Sequence, residues 1–164
     1  MKKTLFVLAS LFVSSLAMAQ ASMWSCDLNF TAKGGGAQIL FGDYELQGLG
    51  DLKCKNGFGE QANLPIKIKM GTAPIDLRVG FGYMKILGTS FNIPLFSYNP
   101  LELIGEYALV QANAAVGLGA GVFVGKSLKL IDFSIPVSIK LLSGFGVDVG
   151  LSNMIIDIDH SRLQ

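Results

Sequence analysis

The chain has 164 residues, 51% hydrophobic and 15% charged, with 13 Lys and Arg against 12 Asp and Glu and a single His. That length holds one domain with one core, or a small membrane barrel, and excludes an ordinary two-domain enzyme. The near balance of charge argues against a nucleic-acid partner, which needs an excess of clustered Lys and Arg, while so little charge beside 20 Gly is unusual for a surface that meets only water.

In chain order, Lys2 and Lys3 precede an apolar run from Leu5 to Leu16, and Ala17-Met18-Ala19 fits the small-x-small cleavage rule. This predicts a secretory signal peptide over residues 1–19, followed by a single all-β domain over 20–164. Removing Lys2 and Lys3 leaves 11 basic against 12 acidic residues. Cys26 has no Leu three residues upstream, so a lipoprotein reading fails. No later stretch reaches the roughly 18 apolar residues of a membrane-crossing helix, so any insertion is by strands. Cys26 and Cys54 are even in number in an exported chain, which predicts a disulfide between them. Two cysteines without a nearby His or paired carboxylate are too few ligands for a metal.

Period-two alternation then runs almost from end to end. Trp24, Cys26, Leu28 and Phe30 share one face, and Leu64, Ile66, Ile68 and Met70 another. Ile75, Leu77, Val79, Phe81 and Tyr83 oppose Asp76, Arg78, Gly80 and Gly82. The longest run covers 106–124, where the even positions Ala108, Val110, Ala112, Ala114, Val116, Leu118, Ala120 and Val122 are apolar. It exceeds the roughly 9 to 11 residues that cross a bilayer with tilt, so it must bend at Gly117–Gly121, form a hairpin there, or project beyond the membrane. Gly117, Gly119 and Gly121 are read as close-packing positions for another chain or acyl tails. Ile131, Phe133, Ile135, Val137 and Ile139 form a further apolar face, and Phe145, Val147, Val149 and Leu151 oppose Gly144, Gly146, Asp148 and Gly150. Turn compositions fall at Lys33–Gly36, Lys55–Gly57, Thr72–Pro74, Tyr98–Pro100 and Leu142–Gly144. Counting between them gives eight to ten strands in an antiparallel sheet or barrel.

Catalytic chemistry is not legible. His160, the only His, lies in a polar tail, and no Gly-x-Ser-x-Gly elbow is present. Asp157 and Asp159 share a face but fit a water-facing strand end better than a cation site. Gly117–Gly121 lacks the following helix that a phosphate loop needs. No enzyme activity, cofactor or metal is expected. Trp24, Tyr44, Tyr83, Tyr98 and Tyr107 are candidates for anchors at lipid headgroup level.

Gly105-Glu106-Tyr107, the run Ala112-Asn113-Ala114-Ala115-Val116-Gly117-Leu118-Gly119-Ala120-Gly121, the step Val124-Gly125, and Gly144, Gly146 and Gly150 resemble a bacterial family of small exported proteins, a domain of unknown function. Cys26, a Gly-rich hairpin and Cys54 extend the resemblance to most of the chain beyond residue 19; Pro94, Pro100 and the Ile-rich tail depart from it. That family is similar to a superfamily of porin-like outer-membrane proteins that form rings around a patch of lipid. The resemblance implies a homo-oligomeric β-structure in the outer membrane of a Gram-negative bacterium, with lipid on its outer and inner walls. Read from the residues, Ala108 to Val122 and Ile131 to Ile139 contact lipid or another copy. The alternative is a soluble exported β-sandwich, periplasmic or secreted, that binds carbohydrate or an envelope component.

Overall fold

Where apolar and polar residues alternate, an extended backbone turns one set toward a core, and almost all of this chain does so. The computed structural model describes residues 24–39, 41–71, 77–130 and 132–163; the expected signal peptide, the Thr72–Pro74 turn and Ile131 lie outside them. Among the described residues there are six strands: β1 Trp24–Ile39, β2 Phe41–Asn56, β3 Gln61–Met70, β4 Leu77–Leu95, β5 Gly105–Ser127 and β6 Ser134–Ile158. Two short 3-10 helices cover Pro100–Leu103 and His160–Arg162. The fold is all-β and antiparallel, in the order β3-β2-β1-β4-β6-β5.

The eight to ten strands expected reduce to six because two glycine clusters read as turns lie inside strands. Lys33–Gly36 runs through β1, and Leu142–Gly144 through β6. Gly36, Gly82 and Gly146 sit side by side on β1, β4 and β6. At Gly82 (φ +101°) and Gly146 (φ +148°) the left-handed backbone excludes most side chains, and a Cβ would strike a carbonyl oxygen of the adjacent strand. The turns at Lys55–Gly57 and Tyr98–Pro100 do form, the first with Phe58 and Glu60 backbone N–H groups donating to Asn56 Oδ1. The bends at 128–130 and the turn at Asp132 that join β5 to β6 fall where no turn composition is read, since Leu128, Leu130 and Phe133 are apolar.

β6 organises the sheet. Along one edge it pairs with β5 throughout; along the other it pairs first with β4, over 138–151, and then with β3, over 154–158. The order of pairing therefore returns on itself from β4 through β1 and β2 to β3. Inside lie Leu28, Phe30, Leu46, Ile66, Ile68, Met84, Ile86 and Phe123, with the Phe30 and Phe123 rings 5.9 Å apart. Cys26 and Cys54 are directly opposed on β1 and β2 and form the expected disulfide, buried against this core. It closes a loop with a sequence separation of 28, worth about 3 to 4 kcal/mol on a chain-entropy basis.

Beyond β6 the chain is clasped to the sheet through Asp159 and Arg162, while His160 to Leu163 stay exposed. Asp159 N–H donates to Pro65 O at 2.8 Å. Arg162 Nη2 donates to the carbonyls of Gly50 (2.7 Å) and Ile66 (3.0 Å), tying the final turn across β2 and β3.

Candidate functional site

Two walls of opposite character face outward. On β1, β2 and β3 the pattern is that of a water-facing sheet: apart from Ile39 and Leu49, the large apolar residues point in, while Asp43, Glu45, Lys53, Lys55, Lys67 and Lys69 point out. On β4, β6 and β5 it is inverted. Leu77, Val79, Phe81 and Tyr83 of β4 face outward and pair with Leu151, Val149, Val147 and Phe145 of β6. These pair in turn with Val110, Ala112, Ala114 and Val116 of β5. The result is a continuous apolar lattice over three strands, with Val116 81% and Phe145 60% exposed and their neighbours likewise uncovered. Phe81 and Phe145 meet edge to face at 6.2 Å. Along β4 the lattice is interrupted by a row where Lys85 lies between Lys33 and Ser143, and it resumes at the exposed pair Leu87 and Leu141.

Beneath this wall lie charges. Arg78 and Asp148 are fully buried and form an ion pair, Nη1 to Oδ1, at 3.6 Å. Gln111 Nε2 donates to Asp148 Oδ2 at 2.8 Å, and Arg78 Nε donates to Gln38 Oε1 at 3.2 Å. The Arg78 guanidinium also stacks over the Tyr44 ring, 4.9 Å from its centroid. Gly80 makes room for that ring, since a Cβ there would lie 2.8 Å from it. Alternation had put Arg78 and Asp148 on the faces opposite the apolar residues, but nothing in period two says which face is the inner one. The signal that could have decided it was the row of glycines beside them, since strands that approach closely call for residues without a Cβ.

The residues singled out from sequence divide accordingly. Val110, Ala112, Ala114, Val116, Leu118, Ala120 and Val122 are exposed and Ala108 is half-buried. The outward assignment of Phe133, Ile135, Val137 and Ile139 is corrected: Ile135 and Val137 are buried in the core, and Phe133 and Ile139 pack against it. The cause is a bulge near Lys140 that shifts the register of β6 against both β4 and β5, so odd positions point inward before it and outward after it. Gly117 has open space around it and is no close-packing site. Gly119 does pack closely, since a Cβ would strike the Ala114 carbonyl, and one at Gly121 would strike the Asn113 amide. The long run bends within β5, by a register shift between Gly119 and Val122. Of the candidate anchors, Tyr83 and Tyr98 are exposed, whereas Trp24, Tyr44 and Tyr107 are buried.

Asp159 is buried and is occupied by protein groups: Ser161 Oγ at 2.6 Å, Arg162 Nε at 2.8 Å and Lys67 Nζ at 3.1 Å. The Ser161 hydrogen bond chiefly, then those from Arg162 and Lys67, holds its carboxyl well below the usual range despite burial. Among the described residues no group of three or more His, Cys, Asp and Glu side chains converges as a metal site would require.

Comparison with protein-family models, with curated proteins and with solved structures finds no match for this chain.

Proposed function

We propose that this chain is a non-enzymatic β-protein of the bacterial outer membrane, a barrel-like subunit of a porin-like homo-oligomeric ring whose β4–β6–β5 wall faces lipid. The observation that carries this is the inversion: an ion pair inside and aromatic and aliphatic side chains outside, on three adjacent strands. In water that arrangement is doubly unfavourable. Burying each ion costs several kcal/mol before pairing, and each large apolar side chain left outside forgoes about 1.5 to 3 kcal/mol. Hydrocarbon outside removes the second cost. The run Leu141–Leu151 on β6, whose odd positions face outward, is eleven residues long, within the length of roughly 9 to 11 that crosses a bilayer with tilt.

The other wall supports assembly. A lone barrel in a bilayer needs an apolar band all round, and each Lys forced near the midplane costs about 2 to 4 kcal/mol. The charged outer faces of β2 and β3 must therefore meet water or a neighbouring copy, as they do in a ring. With one apolar wall among the described residues, such a ring touches hydrocarbon on one side, where the resemblance implies two. The test is extraction. The protein should stay with washed membranes through salt and urea, need detergent, and migrate as a large heat-labile species. Release by urea as a detergent-free monomer would favour a soluble exported binding module instead.

A further inference from the structure

Beside the row where Lys85 interrupts the apolar wall, the outer face of the neighbouring strands carries a basic cleft. Lys85 of β4 stands directly opposite Lys33 of β1, Lys33 opposite Gln47 of β2, and Gln47 opposite Lys69 of β3. One row further on lie Thr31 and Lys67. Together they line a cleft of about 640 Å³. Lys67 is already committed to Asp159, and Glu45 accepts a 2.8 Å hydrogen bond from Gln47. Among the described residues no ion pair joins Lys33, Lys69 or Lys85 to a carboxylate. Like charges directly opposite on paired strands repel, and a bound anion between them offsets that repulsion.

Lys85 also belongs to the apolar wall: it follows Tyr83 and precedes Leu87 on the outward face of β4, beside Ser143 and one row from Phe145. We infer that the cleft binds the phosphate of an anionic lipid headgroup, with the acyl chains of the same lipid lying along Tyr83 and Phe145. The inference rests on the membrane-facing reading and adds the class of lipid recognised. Adjacency selects a lipid over free phosphate, because a soluble anion would gain nothing from the apolar rows beside the lysines. The long lysine stems lie on apolar surface while their heads reach the headgroup level.

The test is flotation of the full chain with vesicles of phosphatidylcholine, with and without phosphatidylglycerol. Phosphatidylglycerol should raise the bound fraction. The double variant Lys33→Gln/Lys85→Gln should lower that preference at about fivefold per lysine, while binding to phosphatidylcholine alone is unchanged. Lys129→Gln, the same charge change in the β5–β6 turn, should keep the preference, and so should Lys33→Arg/Lys85→Arg. Equal flotation with both lipids, or a loss for Lys129→Gln as large as for the pair, overturns the headgroup site and leaves the apolar wall standing. Flotation with neither lipid overturns both. Inorganic phosphate bound by the vesicle-free protein as tightly as the lipid is bound would overturn the lipid source.

Discussion

Arg78 and Asp148 define the inside of the molecule more sharply than any apolar residue, because each depends on the other to be there. Removing one partner leaves an uncompensated buried charge, so Arg78→Met or Asp148→Leu alone should cost about 3 to 5 kcal/mol of stability. Replacing both together should recover most of that loss, as a double-mutant cycle on thermal or denaturant unfolding in detergent would measure. Asp159 acts through protonation instead. Its folded carboxyl is held below the ordinary value of about 4, so its contribution is complete above that pH. Below it the unfolded chain takes up the proton first, and the stability is lost as the pH falls further. Asp159→Asn should therefore destabilise the protein at neutral pH and flatten the acid limb of its stability profile; an unchanged acid limb would contradict the clasp.

Among elements, β5 separates a filled face from a bare one over a long stretch. Its odd positions Tyr107, Leu109, Gln111, Asn113 and Ala115 fill the interior, and its even positions from Val110 to Leu118 are bare. An acid on the bare face breaks no contact within the chain, so Val116→Asp or Ala120→Asp should leave the folded strand order intact and abolish assembly in membranes. Heat-labile migration and disulfide formation read the two effects separately; normal assembly of either variant would deny that this face is covered. β6 carries the complementary lesson. One extra residue near Lys140 reverses which parity points inward, so Ile135 and Leu142 both reach the core although their numbers differ in parity.

At the scale of the whole molecule the two walls make opposite demands on their surroundings. Nitroxides attached at Phe81→Cys and Phe145→Cys should collide with oxygen dissolved in the lipid phase. Those at Lys53→Cys and Lys67→Cys should collide with a water-soluble nickel chelate. Power-saturation measurements on the membrane-bound protein compare them directly, and water access at all four positions would remove the case for a lipid-facing wall. The same division accounts for the basic cleft, which lies where the two walls meet.

The strand content, the disulfide and the faces along each uninterrupted run were legible in the residues, because alternation and cysteine parity are local and survive without knowledge of neighbours. Which face of Leu77–Tyr83 or Phe145–Leu151 looks outward was not, since period two is symmetric between inside and outside. Nor could Lys33, Lys67, Lys69 and Lys85 be seen as one cluster, being spread over three strands and joined only by register. Glycines that read as turns became strand interior for the same reason: a turn and a close approach between strands both call for a residue without a Cβ, and only the pairing of Gly36, Gly82 and Gly146 across the sheet tells one from the other.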